Sequence, residues 1–152
     1  MLMLRPMSED DVAAVAAMEK ECFSDAWSEG LLQDMLKNPY DEAWVMMRRD
    51  GILCGYLNVR FLCGEGELMR IAVKKEFRGH GLSRKLMDQM VKSAKEKEVF
   101  DLTLEVRAGN EAAINLYKSY GFKKEAVRRG YYHSPTEDAF IMWRRGLLGI
   151  TT

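Results

Sequence analysis

Three groups of residues in this chain have types and spacing suited to chemistry. The first is Arg78-Gly79-His80-Gly81-Leu82-Ser83-Arg84, which follows a nearly unbroken apolar strand and opens a helix. A helix start carries free N–H donors and the positive end of its dipole, so an anion is favoured there. Gly79 and Gly81 leave those donors unobstructed, and Arg78 and Arg84 add positive charge, which suits a pyrophosphate. Two glycines before a helix also make a plain tight turn. The stretch lacks the Lys-Ser/Thr ending of a nucleotide P-loop and is not a full dinucleotide fingerprint. The second group is Glu105, on the polar face of an alternating strand and near its end, where ligands approach a sheet. It reads either as an edge glutamate, solvated or paired with Arg107, or as a carboxylate base. The third is Tyr117, one helix later: a core aromatic, or a phenol placed to act as a general acid.

The elements that must position these groups follow in order. Leu2 to Arg5 is a short strand ended by Pro6. Ser8 reads as the N-cap of a helix running to about Phe23, with Val12, Val15, Ala16 and Met18 on its apolar side. A second helix, capped by Ser28, buries Leu31, Leu32, Met35 and Leu36 and stops at Asn38-Pro39. Strands Ala43 to Arg48 and Ile52 to Phe61 flank the Asp50-Gly51 hairpin signal. The strand Glu67 to Lys74 does not alternate cleanly and is predicted to be central. After the glycine turn, Leu82, Leu86, Met87, Met90, Val91 and Ala94 recur at helical spacing. Phe100, Leu102, Leu104 and Val106 then point to one face of a strand, and Asp101, Thr103 and Glu105 to the other. Asn110 caps a helix with Ala113, Leu116, Tyr117 and Tyr120 along one side, closed by Gly121. Phe122 to Arg129 and Asp138 to Arg144 are the last strands. The order β-α-α-β-β-β-α-β-α-β-β predicts an α/β fold: a mixed, mostly antiparallel central sheet flanked by helices, in a single domain over 1–152.

Composition narrows the function classes. The 152 residues hold 23 Lys plus Arg and 23 Asp plus Glu, so no net field argues for nucleic acid or a membrane surface. Cys22, Cys54 and Cys63 have no metal-type spacing, and His80 and His133 have no partners that argue for a metal; none is expected. The N-terminus lacks the apolar core of a signal peptide, and a reducing cytoplasm is the expected setting.

The dispersed motifs resemble those of the Gcn5-related N-acetyltransferase superfamily. Its acetyl-coenzyme A signature, Arg/Gln-x-x-Gly-x-Gly/Ala after a central strand, is matched by Arg78 to Ser83, with serine in the last place. The chain is most similar to the RimI type, the ribosomal-protein N-terminal alanine acetyltransferases. F-S-D-A-W-S (Phe23 to Ser28), I-A-V (Ile71 to Val73), L-E-V-R-A-G-N (Leu104 to Asn110), A-I-N-L-Y-K-S-Y-G-F (Ala113 to Phe122), R-R-G-Y-Y (Arg128 to Tyr132) and D-A-F-I-M (Asp138 to Met142) all look like that family.

The resemblance implies an acetyl-CoA-dependent N-alpha-acetyltransferase with Glu105 as base and Tyr117 as acid. It implies that Arg78, Gly79, His80, Gly81, Leu82, Ser83 and Arg84 hold the pyrophosphate. The backbone of Ile71, Ala72 and Val73 would pair with the pantetheine arm, and Asn110 would contact the cofactor. The implied partner is a protein N-terminus, the N-terminal alanine of small-subunit ribosomal protein eighteen, with no direct nucleic acid and no membrane. The chain is expected to act as a monomer or weak dimer. Alternatives are acetylation of a small amine (polyamine or antibiotic) and a non-catalytic acyl-CoA-binding module. Tyr131 and Tyr132 would either close over a peptide N-terminus or be exposed hairpin aromatics, and Arg70 stands where this family commonly has a smaller polar residue.

Overall fold

The computed structural model describes residues 2–133 and 135–148. Its elements are β1 (Leu2–Pro6), α1 (Val12–Cys22), α2 (Glu29–Lys37), β2 (Asp41–Arg48), β3 (Leu53–Leu62), β4 (Glu65–Val73), α3 (Leu82–Glu96), β5 (Asp101–Arg107), α4 (Glu111–Ser119), β6 (Lys123–Tyr132) and β7 (Glu137–Arg144). This is the predicted order. The strands form one sheet, β1-β2-β3-β4-β5-β7-β6. The β4–β5 pair is parallel, whereas β1–β2, β2–β3, β5–β7 and β6–β7 are antiparallel. The mixed, mostly antiparallel sheet is therefore as expected. The chain divides into two compact units, residues 2–60 with 69–92, and residues 61–68 with 93–148.

In the first unit, Ser8 opens the helical segment as predicted, its N–H donating to Asp11 Oδ2 at 2.8 Å. The first turn, Glu9–Asp11, is a 3₁₀ turn, and the α-helix begins at Val12. Ser28 caps α2 by accepting from the Leu31 N–H at 3.1 Å. The core here joins Val12, Val15 and Met18 of α1, Leu32 and Met35 of α2, and Val45, Leu53 and Tyr56 of the strands. Leu31 does not join it. It is 54% exposed, because the short α2 turns inward the face of Leu32 and Met35, with Leu36 partly buried beside them.

Alternation along β3 decides which helix meets which face. Tyr56 donates its hydroxyl to Glu19 of α1. Its neighbour Gly55 faces the other way, where a Cβ would lie 2.7 Å from the Ala72 carbonyl and 3.4 Å from Leu86 of α3. Helices α1 and α3 thus cover opposite faces of β3, and Gly55 is where the β4 backbone comes too close for a side chain.

In the second unit, β5 pairs with β4 over Glu65–Leu68 and with β7 over Leu102–Arg107. Leu102, Leu104 and Val106 are buried as the alternation requires. Phe100 is not: it precedes the strand and is 47% exposed, since the chain is still turning there. In α4 the buried residues are Ile114 and Tyr117, so the inner stripe lies one position away from the predicted Ala113, Leu116 and Tyr120. The last two strands are longer than predicted. Strand β6 runs on through Gly130 to Tyr132, so R-R-G-Y-Y belongs to a strand with a register shift between Arg128 and Tyr132. Gly130 (φ 61°) absorbs that shift, and its N–H donates to Asp138 Oδ1 at 2.8 Å.

Candidate active site

The expected site residues fall in both units, and each half is built separately. In the first unit, the buried Ala72 and Val73 end β4, and a 3₁₀ turn (Lys75–Phe77) leads to the glycines. Gly79 (φ 83°) and Gly81 (φ 76°) both lie in the left-handed region, and a Cβ at either would meet nothing within 4 Å. Backbone conformation, not crowding, requires glycine at both, and the space above them is open. The Gly81 carbonyl accepts from the Lys85 N–H, so the helix takes over directly behind the turn. Residues 74–85 carry Lys74, Lys75, Arg78, Arg84 and Lys85 against the single acid Glu76. That local excess of cations suits a polyphosphate in a chain with no net charge. Leu82 is buried under the turn, while His80 is exposed.

Arg78 is tied back to the strand. Its Nε donates to the Val73 carbonyl at 2.9 Å, and its Nη2 lies 3.7 Å from Cys22 Sγ. One backbone acceptor of the Ile71–Val73 stretch is therefore already engaged by the turn's own arginine. Burial pushes the Cys22 and Cys54 thiols up, so neither is a ready nucleophile.

In the second unit, Glu105 is the first β5 residue beyond the Leu68↔Leu104 pair, at the C-terminal end of the parallel ladder. Ligands of such sheets gather at that end. Glu105 lies opposite Ile141, and Ile141 lies opposite Ala126, so Ala126 and Arg128, two residues on, share its face. Arg128 Nη1 comes within 3.6 Å of Glu105 Oε1. The Glu105 carboxylate also faces the Tyr131 hydroxyl, and it is the main reason that phenol is held above the usual tyrosine range. Glu105 keeps 24% of its side chain exposed. Arg107, two residues on, pairs with Glu137 at 3.4 Å and stacks over Tyr132 at 4.3 Å.

Tyr117 is buried two residues before the end of α4. The helix closes with the Phe122 N–H donating to the Tyr117 carbonyl (3.1 Å) and the Gly121 N–H to that of Lys118 (2.9 Å). Gly121 takes φ 87°, as this C-terminal motif requires. The same motif sets Phe122 against Tyr117, ring centroids 6.1 Å apart. Burial, then the neighbouring Tyr132, pushes the Tyr117 phenol well above its ordinary 10.0, so it stays protonated at neutral pH. Asn110 caps α4 through Oδ1, which accepts from the Ala113 N–H at 3.2 Å; its amide NH₂ is the donor end toward any ligand.

Two groups escaped sequence reasoning. Arg128 was visible only as part of a basic pair, and nothing local ties it to Glu105. Glu19 was hidden among the charges of α1. Its spacing from Val12, Val15 and Ala16 puts it on their apolar stripe, and a charge at a core position requires a partner. Among the described residues no group of three or more His, Cys, Asp or Glu is placed to hold a metal, and no helix is long and apolar enough to cross a membrane.

The model of the acetyltransferase (GNAT) family matches residues 12–122. A Bacillus subtilis (strain 168) relative is 34% identical over 141 residues, 92% of this chain and 93% of its own. The Mycobacterium tuberculosis (strain H37Rv) N-alpha-acetyltransferase RimI is 31% identical over 144 residues, 91% of this chain and 89% of its own. The crystal structure of the Escherichia coli ribosomal-protein-S18-alanine N-acetyltransferase superposes with a TM-score of 0.89 at 28% identity, covering 95% of this chain and 94% of that one. With a family model over most of its length and RimI-type relatives over nearly all of it, the chain belongs to the acetyltransferase (GNAT) family and is an N-acetyltransferase.

Proposed function

We propose that this enzyme transfers the acetyl group of acetyl-CoA to a protein N-terminal amine, namely the N-terminal alanine of ribosomal protein bS18, in the cytoplasm. Residues 1–152 would serve as one acetyltransferase domain, since the family match at 12–122 runs through both compact units. Relatives named for bS18-alanine acetylation in Escherichia coli, 31% identical over 87% of this chain, support that acceptor.

The observation that carries the reaction is the contrast between two acids of the second unit. Glu105 is a part-exposed carboxylate at a strand end, whereas Tyr117 is a buried phenol kept protonated. The first can accept a proton from an incoming ammonium, directly or through water, and the second can give one to the leaving sulfur. The nitrogen then attacks the acetyl carbon, the C–S bond breaks, and coenzyme A leaves as the thiol. Upstream, the backbone N–H groups of the Gly79 to Arg84 turn and the surrounding cations would hold the pyrophosphate. The backbone of Ile71 to Val73 would align the pantetheine arm, and the Asn110 amide would contact the cofactor. Positioning supplies much of the rate enhancement in such a direct transfer.

A synthetic peptide with the bS18 N-terminus and acetyl-CoA tests this. Thiol release should coincide with α-amine acetylation seen by mass spectrometry. Glu105→Gln should lower kcat about a hundredfold at neutral pH while leaving the acetyl-CoA Kd nearly unchanged. An unaltered kcat would remove Glu105 from the mechanism.

A further inference from the structure

Glu19 is fully buried, and the proton transfers proposed for Glu105 and Tyr117 do not use it. A carboxylate taken out of water must be matched by donors, and this one has four. Arg70 donates through Nε (3.1 Å) and Nη2 (2.9 Å), Trp27 through its backbone N–H (2.9 Å), and Tyr56 through its hydroxyl. Arg70 does more than neutralise it. Its Nη2 also donates to the Asp25 carbonyl at 2.9 Å, and its guanidinium lies 3.9 Å from the Phe23 ring centroid and 4.6 Å from that of Trp27. The segment joining α1 to α2 is thus folded around a planar cation delivered by β4. A lysine has neither the fork nor the flat face for that arrangement.

The face on which this happens matters. Tyr56 reaches Glu19, while Gly55 beside it faces α3. The segment from Phe23 to Ser28 therefore lies on the face of β3 away from α3, the helix whose start forms the glycine turn. An amine that attacks a bound thioester must approach from a side the cofactor does not fill. We propose that Arg70 is a positioning residue for the acceptor: by clamping residues 23–28 to Glu19 it sets one rigid wall of the acceptor approach and so controls acceptor affinity. This rests on the acetyl-transfer reading given above.

The test compares Arg70→Ala, Arg70→Lys and the double variant Glu19→Gln/Arg70→Met with the wild-type enzyme. The double variant removes both charges together, which spares the core an unpaired carboxylate. Arg70→Ala and the double variant should raise the acceptor KM about tenfold, with kcat and the calorimetric Kd for acetyl-CoA held within about twofold. Arg70→Lys should recover little of the loss. In hydrogen exchange, the Trp27 amide should lose protection while the amides of α1 keep theirs. An unchanged acceptor KM in the double variant, or an equal loss of acetyl-CoA affinity, would overturn the proposal. Unfolding of both variants would do so too, by making the pair a requirement of the fold alone. If the wild-type enzyme acetylates only small amines, the bS18 reading fails, and the same KM comparison on that amine still decides the role of Arg70.

Discussion

Glu105 stands between a cation and a phenol that both come from β6, and its partners bear on the proposed chemistry. Arg128, at 3.6 Å, repels an ammonium and tolerates a neutral amine, which is the direction amine attack needs. The effect is modest, because the Arg128 side chain is 57% exposed and water screens it. Tyr117 is the opposite case, shielded by burial against Phe122. Because its phenol is pushed above 10.0, it remains a proton donor across the whole alkaline range ordinarily used for assays. The pH profile of kcat should therefore show no alkaline fall attributable to Tyr117 below about pH 10, the ordinary tyrosine value. Tyr117→Phe should lower kcat at every pH in that range, by about ten- to a hundredfold, without creating or removing an alkaline limb. An alkaline limb near pH 8 that vanishes in Tyr117→Phe would mean the phenol ionises far earlier than its surroundings dictate. At this scale, residue types and spacing left Glu105 and Tyr117 open between structural and chemical readings, and the roles proposed for them come from the family resemblance. Their partners were not legible, because Arg128 and Tyr131 lie more than 20 positions along the chain and meet Glu105 only through strand pairing.

The glycine turn and the end of α4 show how elements hold these groups. Both depend on left-handed backbone at glycine, but for different reasons. At Gly81 the φ of 76° is needed to bring the chain into α3 with open space above it, whereas at Gly121 it closes a helix and seats Phe122 on Tyr117. Gly81→Val would force a β-branched residue into that conformation or abandon it, turning the N–H groups away from a phosphate. Its acetyl-CoA Kd should rise about tenfold or more by calorimetry, with the far-ultraviolet circular dichroism of the helices intact. No change in Kd would mean that the pyrophosphate binds elsewhere. The sequence made these elements legible because glycine, asparagine and serine caps act locally. It was less informative where tertiary contacts decide. Leu31 satisfies a helical apolar pattern and is still exposed, since α2 is only nine residues long and buries a narrow stripe. Strand β6 outran its predicted end because pairing with β7 carries it past Gly130.

For the molecule as a whole, the element order and sheet class were readable from periodicity, yet the buried charges were not. Glu19 and Asp11 look like ordinary members of an acidic helix, and both are buried against an arginine supplied from a strand. Asp11 makes this measurable. Its two oxygens accept from Arg5 at 2.8 Å each, and that contact holds its carboxyl below the usual 3.8. The sign follows from linkage: a depressed folded pKa stabilises the protein above the unfolded value, and that stabilisation is lost as pH falls through the folded value. Asp11→Asn should lower stability at pH 7 by about 1 kcal/mol and flatten the acid limb of a Tm-versus-pH curve below pH 4. Equal Tm losses at pH 7 and pH 2.5 would show that the carboxylate charge contributes nothing.

Strand β6 ends the sheet, and its residues from Lys123 to Arg129 are all exposed. A bare strand edge is a template on which another chain can add itself, and long flat edges seed aggregates. This edge carries Lys123, Lys124, Arg128 and Arg129, and it is twisted out of register twice, between Lys124 and Ala126 and between Arg128 and Tyr132. Repulsion between like-charged copies and the broken register both oppose edge-to-edge stacking. The strand that brings Arg128 and Tyr131 to Glu105 is thus also the one protected against recruiting a second copy, so this edge can stay open to solvent at high concentration without becoming a nucleus for fibrils.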